Sequence, residues 1–221
     1  MSNLLEVDSI IKSFNNHQIL TDIYLKCQTN DIIGLLGRNG TGKTTFFKIL
    51  FGTLSSERKF IRINNHIYNK LYKSPSVLCY LPQDTFIPKQ LTVRKTIDLY
   101  LKNNLIEFLE DNVLNKLINS KISQLSGGEL RYFEIKLLLN LNTKFAILDE
   151  PFNGLSPILV ELVKKLILKS STKKGIILTD HDYKNVLDIA NHVYLIYDGG
   201  FKKIDDKNEL ERWGYTPESR L

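Results

Sequence analysis

Asp31-Ile-Ile-Gly-Leu-Leu-Gly37-Arg-Asn-Gly-Thr-Gly-Lys43-Thr44-Thr45 decides the reading of this chain. Its first seven residues are a short apolar run between turn formers, the pattern of a strand buried on both faces. The run enters a loop that matches G-x-x-x-x-G-K-[ST] in full: Gly37, Arg38, Asn39, Gly40, Thr41, Gly42, Lys43 and Thr44, with Thr45 following. Residues 44–51 then read as a helix stopped by Gly52. Strand, glycine-rich loop and helix together are the context in which such a loop holds phosphate. The glycines let successive backbone N–H groups turn onto phosphate oxygens, and the helix N-terminus adds partial positive charge. Lys43 supplies a point charge for the outer phosphates and Thr44 a hydroxyl for Mg²⁺. Binding of a nucleoside triphosphate is the expectation.

Further along, Phe145-Ala-Ile-Leu-Asp149-Glu150-Pro151 reads as a buried strand ending in two acids. Neighbouring side chains on a strand point in opposite directions, so the two acids are expected to differ in role. Asp149 is placed to help hold Mg²⁺, and Glu150 to orient the attacking water and accept its proton.

Outward from these motifs, strands are expected at Leu4–Phe14, 19–27, 60–63, 77–80, 145–148, Gly175–Thr179 and 194–197, with turns at Asn15-Asn16, Asn64-Asn65 and Asp198-Gly-Gly. Helical periodicity runs through 91–119, carried by Leu91, Ile97, Leu101, Leu105, Phe108, Leu109, Leu114, Leu117 and Ile118, and helices are also expected at 130–140 and 158–168. Alternating strands and helices imply an α/β fold. The expected architecture is a P-loop NTPase core with a mostly parallel sheet, a small antiparallel β-subdomain and a short inserted α-helical subdomain at about 84–140. With no repeats and no linker, residues 1–221 read as one unit.

The chain has 221 residues, 43% hydrophobic and 24% charged, which excludes disorder and allows a full core. Cys27 and Cys79 are the only cysteines and form no C-x-x-C, so neither a disulfide scaffold nor a cysteine metal site is expected; a reducing compartment fits. The N-terminus has no signal-peptide pattern, and nowhere do about 18 apolar residues run together, so no membrane span is expected. The net charge is +6 and the pI about 9.1. That balance suits nucleic acid, an anionic membrane surface or acidic substrates. The 30 basic residues are 23 Lys and 7 Arg, with Lys scattered in pairs. Base readout leans on Arg, and in a chain rich in Asn and Ile the lysines are equally read as codon bias.

Leu125-Ser126-Gly127-Gly128-Glu129 opens a helix with a second potential anion site. Downstream of the cradle and 24 residues before Asp149, it resembles the signature motif of ABC transporter ATPases. Arg131 stands where that family often has a basic residue. The resemblance extends to Phe14, similar to the aromatic that stacks on adenine, and to Gln83, similar to the Q-loop glutamine that contacts Mg²⁺ and signals to the membrane subunit. Asp180-His181 resembles the switch that touches the γ-phosphate. Six motifs in order span Leu4 to about Gly200, and the strings around Asp149 and His181 are most similar to ATPases of the lipopolysaccharide-export and branched-chain amino-acid type. Three departures stand out. Ser156 replaces the usual D-loop Asp, Glu129 replaces a commoner Gln, and only 43 residues separate Gln83 from Ser126.

The resemblance implies a homodimer holding two ATP and Mg²⁺ head to tail, each ATP between one chain's 37–45 cradle and the other's Ser126-Gly127-Gly128-Glu129. Glu150 would activate water, and His181 would hold the γ-phosphate. Transport would need a separate integral-membrane subunit, with this chain cytoplasmic and peripheral on the inner face of the membrane. Phe86, Ile87, Leu91 and Tyr100 are read either as the groove for that subunit or as packing of the helical subdomain. The alternative is a soluble ABC-type ATPase acting on nucleic acid or ribosomes. One cassette and a short insertion disfavour it, so nucleic acid is not an expected partner. Trp213, on a polar tail, has no assigned role. No residue reveals the cargo or its direction.

Overall fold

The computed structural model describes residues 2–101, 106–206 and 208–216. β1 (Leu4–Phe14) turns through Asn15 and Asn16, at φ 47° and 63°, into its antiparallel partner β2 (His17–Gln28). Asn tolerates this left-handed backbone because its short polar side chain bonds locally. Leu5, Val7 and Ile10 of β1 face Ile23, Leu25 and Cys27 of β2 on the buried side. Val7 and Ile10 are three apart, and a register shift with Ser9 at φ 55° restores the inward pattern between them.

β3 (Ile32–Leu36) is buried along its whole length and leads into α1 (Lys43–Phe51), bracketed by Gly42 and Gly52 in left-handed conformation. β4 (Arg58–Ile63) and β5 (His66–Ile67) complete a four-stranded sheet in the order β2-β1-β4-β5. After β6 (Leu78–Leu81) come α2 (Val93–Leu101), α3 (Ile106–Leu109) and α4 (Gly127–Leu139). β7 (Phe145–Asp149), α5 (Pro157–Ser171), β8 (Gly175–Thr179), α6 (Tyr183–Ile189), β9 (His192–Tyr197), β10 (Gly200–Ile204) and α7 (Asn208–Arg212) follow. The second sheet runs β10-β9-β3-β8-β7-β6, every pair parallel except β9 with β10. The expected α/β class with a small antiparallel subdomain is therefore observed.

Alternation along the central strands feeds two cores. Ile33 and Leu35 face the antiparallel sheet and α1, with Phe46, Phe47, Ile147 and Ile177. Ile32 and Leu36 face the helical side, with Phe133, Leu148, Val163 and Ile167. Burial on both faces explains why these strands read as continuous apolar runs.

The 91–119 periodicity does not give one long helix. α2 and α3 are followed by single 3₁₀ turns at Asn115–Leu117 and Ile122–Gln124, and Leu105 lies outside the described residues. Asp111 bends the chain, because its Oδ1 accepts from the backbone N–H of Val113 and Leu114 while Oδ2 accepts from Tyr132 and Lys136. Such local side-chain bonds compete with helix propagation. Among the described residues, no helix is long and apolar enough to cross a membrane.

Candidate nucleotide site

The loop from β3 to α1 closes on itself. Gly40 and Gly42 have φ of 81° and 103°, a backbone open to glycine, and Gly42 has no room for a side chain because a Cβ would sit 2.7 Å from Ile19 Cγ2. Lys43 Nζ donates to the carbonyls of Gly37 (2.6 Å) and Arg38 (3.0 Å). Burial holds the Lys43 ammonium below its usual pKa, opposed by the negative charges of Glu150 and Asp149. Asn39, Gly40, Gly42, Lys43, Thr44 and Thr45 line a cavity of about 350 Å³, facing Gln83, Glu150 and His181. Residues from four separate stretches thus converge where the loop's N–H groups and the start of α1 favour an anion.

Asp149 ends β7 wholly buried. Its Oδ1 accepts from Thr44 Oγ1 (3.3 Å) and Gln83 Nε2 (3.5 Å), and its Oδ2 from the Tyr80 hydroxyl (3.0 Å). Burial pushes its pKa up, the bonds from Thr44 and Tyr80 pull it down, and Glu150 adds to the rise. Thr44 and Asp149 offer hard oxygen donors within reach of one another, and Gln83, whose Nε2 faces both, would add its amide oxygen on turning the amide over; the remaining positions are left to phosphate and water. That donor set fits Mg²⁺. Among the described residues, no group of three His, Cys, Asp or Glu forms a metal site of its own.

Glu150 departs from simple strand alternation. It has φ 54°, a left-handed backbone that costs a non-glycine residue about 1–2 kcal/mol. The twist brings both carboxylates onto Gln83 rather than sending them apart. Glu150 Oε1 accepts from Gln83 Nε2 (2.7 Å) and lies 2.8 Å from His181 Nε2, while Asn153 Nδ2 donates to Oε2 (3.4 Å). Asp180, beside His181, accepts the N–H of Phe152 and of Asp182, and burial raises its pKa.

Other expected residues lie elsewhere. Thr41 does not line the cavity, and its Oγ1 donates to the Arg38 carbonyl (2.9 Å). Arg38 turns its side chain away from the cavity and donates from Nη2 to the Gly214 carbonyl (2.7 Å). Phe14 is exposed, with the Lys12 ammonium 4.8 Å from its ring centre. Neither it nor the signature segment lines the cavity. Ser126 and Glu129 instead form a capping box on α4, Ser126 Oγ accepting the Glu129 N–H and Glu129 Oε2 accepting the Ser126 N–H (2.8 Å). Glu serves that cap as well as Gln would. Ser156 caps α5 by accepting the Leu159 N–H, with Pro157 in the first turn.

Of the four groove candidates, Ile87 is core, Phe86 and Leu91 pack partly buried against it, and Tyr100 is exposed with its ring edge-on to Phe86. Trp213 is not on a free tail. Its ring lies 5.0 Å from that of Tyr197, with Lys202 Nζ 5.9 Å away. Tyr80 was missed by sequence reasoning, although its place on β6 beside Ile147 of β7, three residues before Gln83, was a usable signal.

A mostly parallel sheet with this loop at the end of β3 and a carboxylate at the end of β7 defines a P-loop nucleotide-binding protein. Residues 20–153 match the ABC transporter family. The chain is 31% identical over 209 residues to the lipopolysaccharide export system ATP-binding protein LptB of Haemophilus influenzae, covering 88% of this chain and 87% of the relative. Identity to LptB of Escherichia coli K12 is also 31%, over 211 residues and the same shares. A solved ATP-binding subunit of an ABC transporter matches with TM-score 0.80 at 22% identity, over 98% of this chain and 95% of the other. A nucleotide-free ATP-binding cassette matches with the same score and identity, over 97% and 96%. The chain belongs to the ABC transporter ATP-binding family.

Proposed function

We propose that this chain hydrolyses ATP with Mg²⁺ as a head-to-tail homodimer and drives a separate membrane subunit. The observation that carries the reading is the convergence of Lys43, Thr44, Gln83, Glu150 and His181 on one cavity of about 350 Å³. In this reading the 37–45 loop binds the phosphates, and Lys43 leaves the carbonyls of Gly37 and Arg38 for them. Thr44, Asp149 and Gln83 would hold Mg²⁺, which when bound would supply charge neutralisation at the outer phosphates. Glu150 lets go of Gln83 and His181, orients the attacking water and accepts its proton. His181 then donates to the γ-phosphate as charge develops. Ser126 to Glu129 lie outside their own chain's cavity, which supports their serving the partner's nucleotide.

Residues 1–221 act as one ATP-binding unit, with 84–140 as its helical subdomain. In this reading the exposed Tyr100 beside Phe86 is the surface for the membrane subunit, and the chain works in the cytoplasm against the membrane's inner face. The likeness to LptB favours an export complex, with the cargo chosen by the membrane subunit.

Glu150→Gln keeps the shape and removes the base. It should slow hydrolysis by about 10²-fold or more and accumulate an ATP-bound dimer on size exclusion. Turnover near the wild-type rate would remove Glu150 from its role. Recovery with membranes supports transport, whereas RNA binding that falls steeply with salt would replace it with the nucleic-acid reading.

A further inference from the structure

One turn and a half of α4 makes contacts that nothing above uses. Arg131, buried five residues after Ser126, donates from Nη1 to the Pro82 carbonyl (2.7 Å) and from Nη2 to the carbonyls of Asp149 (2.5 Å) and Glu150 (3.0 Å). Glu134, one turn on and also buried, accepts at Oε1 from the Thr85 hydroxyl (2.6 Å) and the Phe86 N–H (3.2 Å). Arg131 and Glu134 lie 3.6 Å apart. Gln83 is therefore bracketed, with the residue before it tied to Arg131 and the two residues from 85 tied to Glu134. The same guanidinium holds the backbone on which the Glu150 carboxylate is mounted.

We infer that Arg131 and Glu134 are positioning residues that couple the signature end of α4 to Gln83 and Glu150 of the same chain, so that nucleotide seated on Ser126 to Glu129 sets the geometry of the other catalytic site. The inference rests on the head-to-tail reading above, in which that nucleotide is held by the partner's cradle. The physical basis is stiffness. α4 is a regular 13-residue helix, and buried charge-assisted bonds to carbonyls are short and poorly replaced by water. A shift or tilt of its first turn is carried to the Pro82 and Glu150 carbonyls rather than absorbed.

The route also meets a need particular to this sequence. Ser156, which stands where the family has the Asp that links the two sites, is spent on capping α5. A connection inside each chain, from signature to catalytic base, supplies communication that the D-loop carboxylate cannot.

The test is the ATP dependence of hydrolysis in the full chain, giving kcat, KM and the Hill coefficient, beside nucleotide affinity and melting temperature. In wild type the Hill coefficient should lie between 1 and 2, the ceiling being the number of sites. Arg131→Lys replaces the fork by a single ammonium that cannot hold both elements. It and Glu134→Ala should each lower kcat about tenfold, leave KM within about twofold, and bring the Hill coefficient to 1, a coupling of ordinary size. Glu134→Gln keeps both acceptor bonds and should restore kcat and cooperativity. Thr85→Val, at an exposed position that cannot unfold the core, should give a smaller loss of the same kind.

Unchanged Hill coefficients in all variants, or a rise in KM at constant kcat, would overturn the relay. So would a wild-type Hill coefficient of 1 in a protein whose Glu150→Gln variant still forms the ATP dimer, and there the functional reading would stand. Absence of that dimer would overturn the functional reading, and the relay with it.

Discussion

Tyr80→Phe removes one oxygen and keeps the ring, which packs 5.3 Å from Phe51 and 6.4 Å from Phe47. The loss falls on Asp149, whose Oδ2 has the Tyr80 hydroxyl 3.0 Å away. Asp149 is wholly buried, so water does not replace that donor. A hydrogen bond to a charged group contributes about 1.5–3 kcal/mol. For a protein of this size each kcal/mol shifts Tm by roughly 2–4 °C, so the nucleotide-free variant should melt about 3–12 °C lower at pH 8. The sign with pH follows from the charge. The hydroxyl favours the ionised carboxylate, so its contribution is present above Asp149's pKa and shrinks as pH falls through it. That pKa is raised by burial, so the difference should narrow toward pH 4, to the roughly 1 kcal/mol of a neutral bond. Mg²⁺ with ATP should narrow it too, since the metal takes over the carboxylate. Thermal melts of both proteins from pH 8 to pH 4, with and without Mg²⁺ and ATP, make the comparison. A Tm difference below about 1 °C at pH 8, or one independent of pH, would refute the reasoning.

Asp149→Asn should raise nucleotide-free stability near pH 8 by on the order of 1 kcal/mol while abolishing Mg²⁺-dependent hydrolysis, the usual trade at a strained site. Because Asp149's pKa is raised in the fold, its ionisation costs stability. The variant's advantage should therefore grow as pH rises through that pKa and vanish at low pH; a variant less stable than wild type at every pH would contradict this. Gly175→Ala would put a Cβ 2.7 Å from Cys27 Sγ, the Gln28 carbonyl and Phe145 Cδ1, and should cost about 1–3 kcal/mol or more. Urea unfolding with an unchanged midpoint would show that β2 yields more easily than its packing implies. Burial pushes the Cys27 and Cys79 thiols up, so neither should react with a thiol reagent at pH 8 until urea unfolds the chain. Rapid labelling of the native protein would contradict their burial.

Much of the fold was legible because its signals are local. Leu4–Phe14 and Gly175–Thr179 have the expected bounds, and the helix expected at 158–168 is the middle of α5. The helical subdomain was the least legible, since Asp111 bonds the backbone after α3 and turns the chain where the apolar periodicity by itself would run on. In the site, the cradle, Asp149, Glu150, Gln83 and His181 were readable from motif and order. Arg38 was not, because its partner, Gly214, is 176 residues away in sequence. Tyr80, Arg131 and Glu134 were unassigned for a related reason: their roles lie in which backbone carbonyls and carboxylates they meet across elements, and no spacing along the chain encodes that.

Local chemistry alone, then, was enough to read a phosphate-binding loop in this chain. A glycine loop between a buried strand and a helix exposes N–H groups whatever surrounds it. Whether the acids at 149 and 150 diverge or converge was decided only by tertiary structure. The bend at Glu150 is paid for by packing around it, including its N–H bond to the Thr179 carbonyl of β8. The separation of Ser126 from its own chain's cavity was likewise a matter of three-dimensional arrangement. Short-range patterns specify which groups a segment carries, and only the packed fold specifies which of those groups meet.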